Sequence, residues 1–355
     1  MPLPSSMKAA VYKGDGVISV EDVLVPSIGP GELLVRVEAC GVCHTDLKKV
    51  QYNLLPPPRV YGHETAGVVA QLGAGVDGFA VGDRVIVFHH IPCGDCFYCA
   101  RKLYAQCAVY KKVGVTAGFE PAGGGFAQYV RVMDWIVARG VEKIPDGISF
   151  EVASFVEPVN TCLKAVEQLD AALGDVVVVM GQGPIGLIFT MLLQERGVSV
   201  IATDTIPGRL ALARKCGAAE AVDPTSQNVA GLAKDRTGGR GADAVVVATA
   251  AKGLVEQAVE CSRPGARILL FAQTSPTERI ELSGASICVG ERILFGSYSA
   301  SVDVQKRSTE LVFGGKIPLH LLISHRMPLE SIQKAFELAT RPTADSLKIV
   351  VTPNG

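Results

Sequence analysis

The chain has 355 residues, enough for two domains that each bury a core of their own. It is 48% hydrophobic and 19% charged, and its 38 glycines are typical of a soluble α/β protein rich in tight turns. With 34 basic against 35 acidic side chains, it has no basic excess to neutralise a phosphate backbone, which argues against nucleic acid as a partner.

The N-terminal segment has neither the positively charged start nor the apolar stretch of a signal peptide. No apolar run reaches the roughly 18 residues that a membrane span needs, so we expect no membrane partner and a cytoplasmic location. The ten cysteines are then more often metal ligands or small core residues than disulfide partners.

Short strand patterns separated by glycine turns fill about the first 155 residues, which predicts a β-rich domain. The predicted strands are Ile18–Leu24, Leu33–Glu38, Gly67–Gln71, Arg84–Val87 and Ala127–Val132.

Two short motifs in this region carry potential metal ligands, CHTD at residues 43–46 and GHE at residues 62–64. A catalytic zinc ion needs about three protein ligands and one open position. Cys43 and His63 would supply two of the three. The residues alone leave two candidates for the third, Glu157 and Cys162.

Four further cysteines lie in one 15-residue loop, at Cys93, Cys96, Cys99 and Cys107. A bacterial iron–sulfur motif has three residues before its fourth cysteine and a proline after it. Here seven residues precede the fourth cysteine and Ala108 follows it. The spacing therefore predicts a closed four-thiolate zinc site, which leaves no position for substrate and is structural.

His89 and His90 stand directly before this loop on a strand-like segment. Adjacent strand residues face opposite sides, so we expect that the two rings cannot easily share one metal ion. They are candidates for lining a substrate cleft.

From about residue 158 the pattern changes to alternating strands and helices, which predicts a doubly wound parallel sheet. The predicted strands are Val176–Met180, Val198–Thr203, Ala221–Asp223, Ala244–Thr249, Arg267–Ala272 and Arg292–Phe295, with helices such as Pro184–Arg196 and Gly208–Cys216 between them.

After residue 297 the chain returns to mixed structure, with helices near Val302–Gly314 and Leu329–Arg341 and a last strand, Lys348–Thr352. These pieces are too short for a domain of their own. We therefore expect one domain from residues 1–157 and 297–355, and an inserted domain from residues 158–296.

The first strand of the inserted domain runs directly into GQGPIG, residues 181–186, which opens a helix. In this setting the motif is typical of a dinucleotide site. Gly181 permits the tight turn, Gly183 lets the pyrophosphate approach the backbone, and Gly186 lets helix and sheet pack closely. Pro184 and Ile185 begin the helix, whose N-terminus would receive the pyrophosphate.

An acidic residue, Asp204, ends the next predicted strand. A carboxylate there hydrogen-bonds the adenosine ribose and repels a 2′-phosphate, which favours NAD over NADP. Arg209, five residues further on, could stack on adenine or meet a phosphate, so NADP stays open as the alternative.

These motifs together resemble the zinc-containing medium-chain dehydrogenase/reductases, in particular their sorbitol (polyol) dehydrogenase branch. The likeness extends from Met7 to the last strand. Its marks are GVCHTD (41–46), GHE (62–64), the four-cysteine loop, GGGFAQYV (123–130), VEPVNT (156–161), GQGPIG (181–186) and Asp204. The resemblance implies a GroES-like β-rich catalytic domain with an inserted doubly wound Rossmann domain.

By this resemblance, Cys43 and His63 bind the catalytic zinc ion, and Glu157 occupies the position of the third ligand. That position holds a cysteine in some branches and an acid in others. Cys162 lies where the family motif has no ligand. Glu64 adjoins the site and, in this family, can approach or replace a ligand as water and substrate exchange.

The resemblance also implies roles for neighbouring residues. Thr45 matches the hydroxyl that accepts the substrate proton and passes it toward the nicotinamide ribose. Asp46 matches the carboxylate that orients the zinc-binding histidine, although it could instead cap a helix. His44 and Lys348 match contacts with the pyrophosphate, and Thr161 matches a contact with the nicotinamide.

One position departs from the family pattern. Some members end the proton relay in a histidine, where this chain has Lys48. A lysine could deliver a proton to solvent only with a lowered pKa, so we expect Lys48 to be a solvated surface residue.

The implied activity is transfer of hydride between a secondary alcohol, polyol or sugar alcohol and NAD, which gives a ketone or aldehyde. The implied cofactors are one catalytic and one structural zinc ion and NAD, in a homodimer or homotetramer. Two alternatives stay open: an NADP-dependent carbonyl reductase of the same fold, and a zinc-stabilised protein that binds NAD or senses redox state without turnover.

Overall fold

The computed structural model describes residues 3–112, 114–119, 123–272 and 277–355. The chain forms two compact units, of which unit 1 comprises Met1–Asn160 and Ala300–Gly355 and unit 2 comprises Thr161–Ser299. Among the described residues, we find no helix with the length and apolar character to cross a membrane.

The first segment of unit 1 contains mostly strands. They are β1 (Ser6–Gly14), β2 (Val17–Leu24), β3 (Leu33–Gly41), β4 (Arg59–Val60), β5 (Glu64–Leu72), β6 (Arg84–Val87), β7 (Val115–Thr116), β8 (Tyr129–Val132) and β9 (Val141–Lys143). The helices are α1 (His44–Gln51), α2 (Asp134–Gly140), α3 (Phe150–Ala153) and α4 (Val156–Leu169), the last of which continues into unit 2.

Unit 2 alternates strands and helices. Its strands are β10 (Val176–Met180), β11 (Ser199–Thr203), β12 (Glu220–Val222), β13 (Ala242–Val247), β14 (Ser262–Leu270) and β15 (Ile293–Gly296). Its helices are α5 (Pro184–Glu195), α6 (Pro207–Lys215), α7 (Val229–Arg236), α8 (Leu254–Cys261) and α9 (Gly284–Cys288). The returning segment of unit 1 adds α10 (Gln305–Phe313), β16 (Ile323–Pro328), α11 (Ile332–Thr340) and β17 (Lys348–Thr352).

The larger sheet of unit 1 brings three strand ends together. Its order is β16-β17-β3-β5-β6-β9, with β8 also paired to β3 and β7 to β8, while β2-β1-β4 form a separate small sheet. In the antiparallel pairing of β3 with β5, Gly41 lies opposite Glu64. Val350 of β17 pairs with the same Gly41. Residues just after β3, at the start of β5 and at the start of β17 therefore meet at one edge.

Unit 2 is the doubly wound sheet that the sequence predicts. Its strand order is β12-β11-β10-β13-β14-β15, and every adjacent pair is parallel. All five residues of β10 are buried, as befits a strand covered by helices on both faces. The order reverses beside β10, and the crevice at the carboxyl end of the strands at such a point is where open α/β sheets bind ligands.

A bidentate ion pair anchors β3 to β8 in unit 1. The Glu32 carboxylate accepts hydrogen bonds from Arg131 Nε (2.8 Å) and Nη2 (2.9 Å) and from the backbone N–H of Gly29 (2.6 Å). Burial alone would raise the pKa of Glu32, but these bonds and the guanidinium charge outweigh it and hold that pKa below its ordinary value.

We therefore expect Glu32→Gln to lower the free energy of unfolding by about 1–3 kcal/mol at neutral pH. Because the folded-state pKa is lowered, the glutamate's contribution is complete above its ordinary pKa of 4.5 and is lost as pH falls through the folded value. Denaturant titrations should show that the difference in free energy of unfolding between the parent and Glu32→Gln becomes smaller in acid. The exposed Glu330→Gln is the control, and equal stability of the parent and Glu32→Gln at neutral pH would contradict the prediction.

Candidate functional site

Helix α1 begins at the edge where the strand ends of unit 1 meet. Its N-cap is Cys43, whose Sγ accepts a hydrogen bond from the backbone N–H of Thr45 at 3.4 Å. The Asp46 carboxylate in turn accepts one from the N–H of Cys43 at 3.4 Å. This reciprocal capping box fixes the first turn of the helix and presents the cysteine sulfur beside it.

Three potential ligands converge next to this turn. One ligand atom from each of Cys43, His63 and Glu64 lies within 4.8 Å of the others. Cys43 comes from the segment after β3, whereas His63 and Glu64 stand at the start of β5. Sulfur, imidazole nitrogen and carboxylate oxygen are the donor atoms that zinc binds in proteins, so the donor set fits a zinc ion.

Asp46 orients the histidine of this group. Its Oδ1 lies 3.0 Å from Nδ1 of His63, and the carboxylate has no exposed surface. Burial would raise the pKa of Asp46, but the charge of His63 and its hydrogen bond outweigh burial and lower that pKa. With Nδ1 held by the carboxylate, Nε2 is the nitrogen left for a metal ion. The N-cap of α1 is Cys43, so the alternative that Asp46 is the N-cap is wrong; Asp46 is the third residue of the helix, and its side chain both completes the capping box and contacts the imidazole.

Glu64 forms a buried ion pair with Lys348, the first residue of β17. The Lys348 ammonium also donates a hydrogen bond to the carbonyl of Val42 at 3.1 Å. A Cβ atom at Gly41 would collide with the Glu64 carboxylate, so only glycine leaves room for the pair. The expected contact of Lys348 with a pyrophosphate stays a prediction, since the structure directs its ammonium onto Glu64.

Glu157 lies in the first turn of α4 and is 9% exposed. Its Oε1 is 3.5 Å from Nδ1 of His90. Burial lowers the pKa of Lys348, but the charges of Glu64, Cys43 and Glu157 outweigh burial, so that pKa is raised. Glu157 is not part of the three-residue group within 4.8 Å, and its role as the third ligand stays a prediction. The alternative, Cys162, is fully buried further along α4.

The expectation that His89 and His90 face opposite sides is wrong. Strand β6 ends at Val87, so the alternation of a strand does not reach them. Their ring centroids lie 4.0 Å apart, at 34° to each other. Both rings lie near His63, with centroid distances of 6.1 and 6.3 Å.

The remaining residues implied by the resemblance are distributed around α1 and α4. Thr45 is half-buried in the first turn of α1, His44 is exposed beside it, and Thr161 is half-buried on α4. Lys48 is half-buried rather than fully solvated, and burial lowers its pKa although the charge of Cys43 acts in the opposite direction.

The four-cysteine loop folds into a compact cluster of sulfur atoms. The Sγ atoms of Cys93 and Cys99 are 3.8 Å apart, those of Cys96 and Cys99 3.5 Å, and those of Cys107 and Cys93 3.6 Å. Tetrahedral coordination with Zn–S bonds of about 2.3 Å requires sulfur atoms about 3.8 Å apart. The geometry therefore fits a zinc ion held by four thiolates.

The glycine motif of unit 2 forms the turn that a dinucleotide requires. Gly181 has a φ of +90°, and a Cβ there would lie 2.6 Å from Thr249 Cβ. A Cβ at Gly186 would collide with the carbonyl of Gly181, whereas a Cβ at Gly183 would meet none of the described residues within 4 Å. Gly183 is also the N-cap of α5, and Pro184 and Ile185 follow it. Open space at a helix N-terminus suits a phosphate group.

Asp204 ties this turn to the next strand. One carboxylate oxygen accepts a hydrogen bond from the backbone N–H of Gln182 at 2.7 Å, and the other accepts one from the N–H of Ile206 at 2.9 Å. The Arg209 guanidinium lies 3.8 Å from the first oxygen. Carboxylate oxygens have further lone pairs, so Asp204 keeps acceptor capacity for ribose hydroxyls.

The buried side chain of Gln182 is a supporting residue that the sequence analysis missed. Its Nε2 donates to the carbonyl of Val179 at 3.1 Å, and its Oε1 accepts from the Thr190 hydroxyl at 3.0 Å. The side chains of Gln182 and Thr190 are both fully buried, so their hydrogen bonds hold the glycine turn from the interior of the protein. The only signal in the sequence is a polar residue between two glycines, which does not indicate whether its side chain points into the protein or toward a ligand.

We expect Cys96→Ser to reduce the zinc content from two ions to one per chain, because a closed four-thiolate site does not tolerate loss of a ligand. Elemental analysis of the purified protein measures this. Cys288→Ser, at an exposed cysteine outside both clusters, should keep two ions. Unchanged zinc in Cys96→Ser would refute the assignment of the cluster.

We expect Gly183→Ala to weaken dinucleotide binding at least about tenfold with little change in thermal stability, since its methyl group enters open space that the pyrophosphate needs. Fluorescence titration with NADH and a melting curve test the two parts. Gly284→Ala is the matched control, because a Cβ there also lies more than 4 Å from every other described residue that it could meet. Undiminished NADH binding would show that the phosphate lies elsewhere.

Two family models match this chain, each over a different part of it. The family model of the alcohol dehydrogenase GroES-like domain matches residues 29–146, and that of the zinc-binding dehydrogenases matches residues 184–313. The chain is 29% identical over 358 residues to the sorbitol dehydrogenase of Bacillus subtilis (strain 168), covering 99% of both. It is 30% identical over 374 residues to the erythritol/L-threitol dehydrogenase of Mycolicibacterium smegmatis, again covering 99% of both.

A solved structure of a protein from Sinorhizobium meliloti 1021 bound to NADP is similar to this chain with a TM-score of 0.87 and 30% identity. The match covers 99% of this chain and 100% of that one. The GroES-like and Rossmann-type fold expected from the sequence is confirmed. The chain belongs to the zinc-dependent medium-chain alcohol dehydrogenase family.

Proposed function

We propose that this chain is a zinc-dependent oxidoreductase that transfers hydride between a secondary alcohol, polyol or sugar alcohol and NAD, giving the ketone or aldehyde. The observation that carries the proposal is the group of Cys43, His63 and Glu64, with ligand atoms within 4.8 Å of one another. Asp46 behind His63 and the hydroxyl-bearing Thr45 beside Cys43 complete a reacting centre.

Each residue of this centre has its own proposed role. When bound, a zinc ion would supply a Lewis acid that lowers the pKa of the substrate alcohol. Cys43 and His63 would hold the ion, with Glu157 as the third ligand and Glu64 as an acid able to approach it. Thr45 would accept the substrate proton and pass it on as a general-base relay.

Lys348 and Asp46 support these proposed roles by holding two of the residues in position. The Lys348 ammonium is paired with Glu64 and donates a hydrogen bond to the carbonyl of Val42, so it holds the Glu64 carboxylate in place beside the ligand group. Asp46 keeps the imidazole of His63 in one orientation throughout the reaction. Neither residue needs to contact the substrate.

NAD is the proposed cofactor, held by Gly181, Gly183 and Gly186 at the start of α5 and by Asp204, with NADP as the alternative. The carboxylate would repel a 2′-phosphate, which supports NAD. The S. meliloti structure bound to NADP and the nearby Arg209 are the reasons to test both. His44, Thr161 and Lys348 are further proposed contacts of this cofactor.

The substrate class is proposed from the relatives. A sorbitol dehydrogenase and an erythritol/L-threitol dehydrogenase match the chain over nearly its whole length. Both names denote polyols, so a polyol or another secondary alcohol is favoured over a primary alcohol.

Domain limits, assembly and location belong to the same proposal. The catalytic domain would comprise residues 1–157 and 297–355, and the NAD-binding domain residues 158–296. A homodimer or homotetramer is supported by β15, an edge strand whose Ile293 is 46% exposed, with Val289 82% exposed just before it. Unpaired edge strands favour association. We expect the protein in the cytoplasm.

The test is an activity panel of polyols, secondary alcohols and primary alcohols with NAD and with NADP, followed at 340 nm, the wavelength at which both reduced cofactors absorb. We expect turnover of polyols or secondary alcohols, faster with NAD, and a loss of at least about 10³-fold in Cys43→Ser. The variant should keep its melting temperature and its NADH affinity.

Cys162→Ser, a buried cysteine outside the ligand group, is the control and should retain activity. Turnover that survives in Cys43→Ser would contradict the proposed centre. An unmodified protein that binds two zinc ions and NADH but oxidises none of the alcohols would instead favour the non-catalytic alternative.

A further inference from the structure

We propose that a cavity of unit 1, outside the candidate metal centre, binds a small anion that carries hydroxyl groups, which is the chemistry of a sugar phosphate or a sugar acid. The proposal goes beyond hydride transfer, because it concerns a second ligand site with residues of its own.

The cavity lies between the four-cysteine loop, the end of α2 and the start of α10. Its volume is about 380 Å³. Small-molecule pockets in proteins have volumes of about 300–1,000 Å³, so a metabolite of several carbon atoms fits. None of the described residues that line it belongs to the candidate metal centre or to the glycine turn. Among the lining residues are Gly94, Cys99, Arg139, Glu142, Gln305 and Lys306.

Two cationic side chains of the lining have no acidic partner. Arg139 stands in the last turn of α2 and Lys306 in the first turn of α10, and neither forms a salt bridge with a described residue. A Cβ at Gly94 would lie 3.9 Å from Arg139 Nη1, which places the guanidinium beside the four-cysteine loop. Unpaired cations are common on protein surfaces, but these two line one concave cavity, where their fields add.

The acidic residue of the lining is held in place by neutral groups. Glu142 Oε1 accepts hydrogen bonds from Gln305 Nε2 at 2.9 Å and from the Thr309 hydroxyl at 3.1 Å. These bonds orient the carboxylate without cancelling its charge. The lining residues therefore carry two positive charges against one negative charge, a balance that favours an anionic ligand.

The other charged groups beside the cavity pair with each other. Asp303 accepts a hydrogen bond from the hydroxyl of Tyr104 at 3.1 Å, and one of its oxygens lies 3.7 Å from the Lys102 ammonium. This pair adds no net charge. Arg139 and Lys306 are thus the cations left to bind an anion among the described residues around this cavity.

The Glu142–Gln305 pair explains why the anion should also carry hydroxyl groups. Gln305 is only 6% exposed, and its amide is fixed by Glu142. A carboxylate has about four lone-pair sites, so the Glu142 carboxylate keeps acceptor capacity beyond its two printed bonds. A bare anion would lie beside this carboxylate with no proton to donate, whereas hydroxyl groups would donate to it.

Isothermal titration calorimetry of the unmodified, zinc-loaded protein tests the proposal, with NADH present to occupy the dinucleotide site. The probes are sorbitol 6-phosphate, gluconate, inorganic phosphate and sorbitol. We expect at least one of the two sugar anions to bind more tightly than inorganic phosphate. Tighter binding of sorbitol 6-phosphate would identify a sugar phosphate as the ligand, and tighter binding of gluconate a sugar acid; both results support the proposal.

Arg139→Gln and Lys306→Gln should each weaken binding of the favoured sugar anion at least about tenfold, because each removes a charge-assisted hydrogen bond. Any binding of uncharged sorbitol should be the same in parent and variants. Lys334→Gln, at an exposed lysine of α11 away from the cavity, is the control and should bind like the parent. All three variants should keep two zinc ions and the melting temperature of the parent.

Equal binding of the sugar anion in the parent, Arg139→Gln and Lys306→Gln would place the ligand elsewhere and overturn the proposal. Inorganic phosphate that binds as tightly as both sugar anions would overturn it too, and so would no binding of any probe up to about 10 mM. Loss of one zinc ion in Arg139→Gln, with no probe bound by the parent, would assign this cation to the four-thiolate site instead. Because none of these measurements requires turnover, this proposal and the proposed function can fail separately.

Discussion

The buried carboxylate of Asp46 joins the parts of the candidate metal centre. One of its oxygens accepts the backbone N–H of Cys43 and the other contacts Nδ1 of His63. The cysteine follows β3 and the histidine precedes β5, so this side chain fixes two potential ligands from different strands. Because the Asp46 carboxylate is buried, water could not take its place as the hydrogen-bonding partner of Cys43 and His63 if it were removed.

The motifs predicted well from the sequence are those whose requirements lie within one segment. The spacing of Cys93, Cys96, Cys99 and Cys107 suffices for a four-thiolate site, since a loop of that length can close on itself. The glycine turn of residues 181–186 follows a buried strand and opens a helix, and both contexts are visible in the residue pattern. The strand–helix alternation likewise predicts the doubly wound parallel sheet that unit 2 forms.

The parts that could not be predicted depend on contacts between distant segments. The pairing of Lys348 with Glu64 arises because β17 and β5 both flank β3, which no local pattern indicates. His89 and His90 lie side by side because β6 ends two residues before them, and strand ends are poorly marked in sequence. The sequence pattern does not indicate that helix α1 begins at His44, since cysteine is not among the usual N-cap residues.

Helix α4 shows a related limit of local patterns. Its first turn contains Glu157 followed by a proline, a combination that indicates a turn as readily as a helix start. From the residue pattern alone, we expect a domain boundary in this segment, between residues 157 and 158. In the structure it is a continuous helix, and its regular geometry holds the Glu157 carboxylate 3.5 Å from the His90 ring.

The position of Asp204 has a consequence for how this protein could change its cofactor. Its carboxylate accepts hydrogen bonds from the backbone N–H groups of Gln182 and Ile206, so it shapes the glycine turn, and it is also the group proposed to contact the adenosine ribose. A smaller neutral residue that admitted a 2′-phosphate would also release those two donors. If Asp204 sets the nucleotide preference as proposed, that preference and the rigidity of the glycine turn are coupled at a single residue, and a variant that admits a 2′-phosphate needs another acceptor for these two N–H groups.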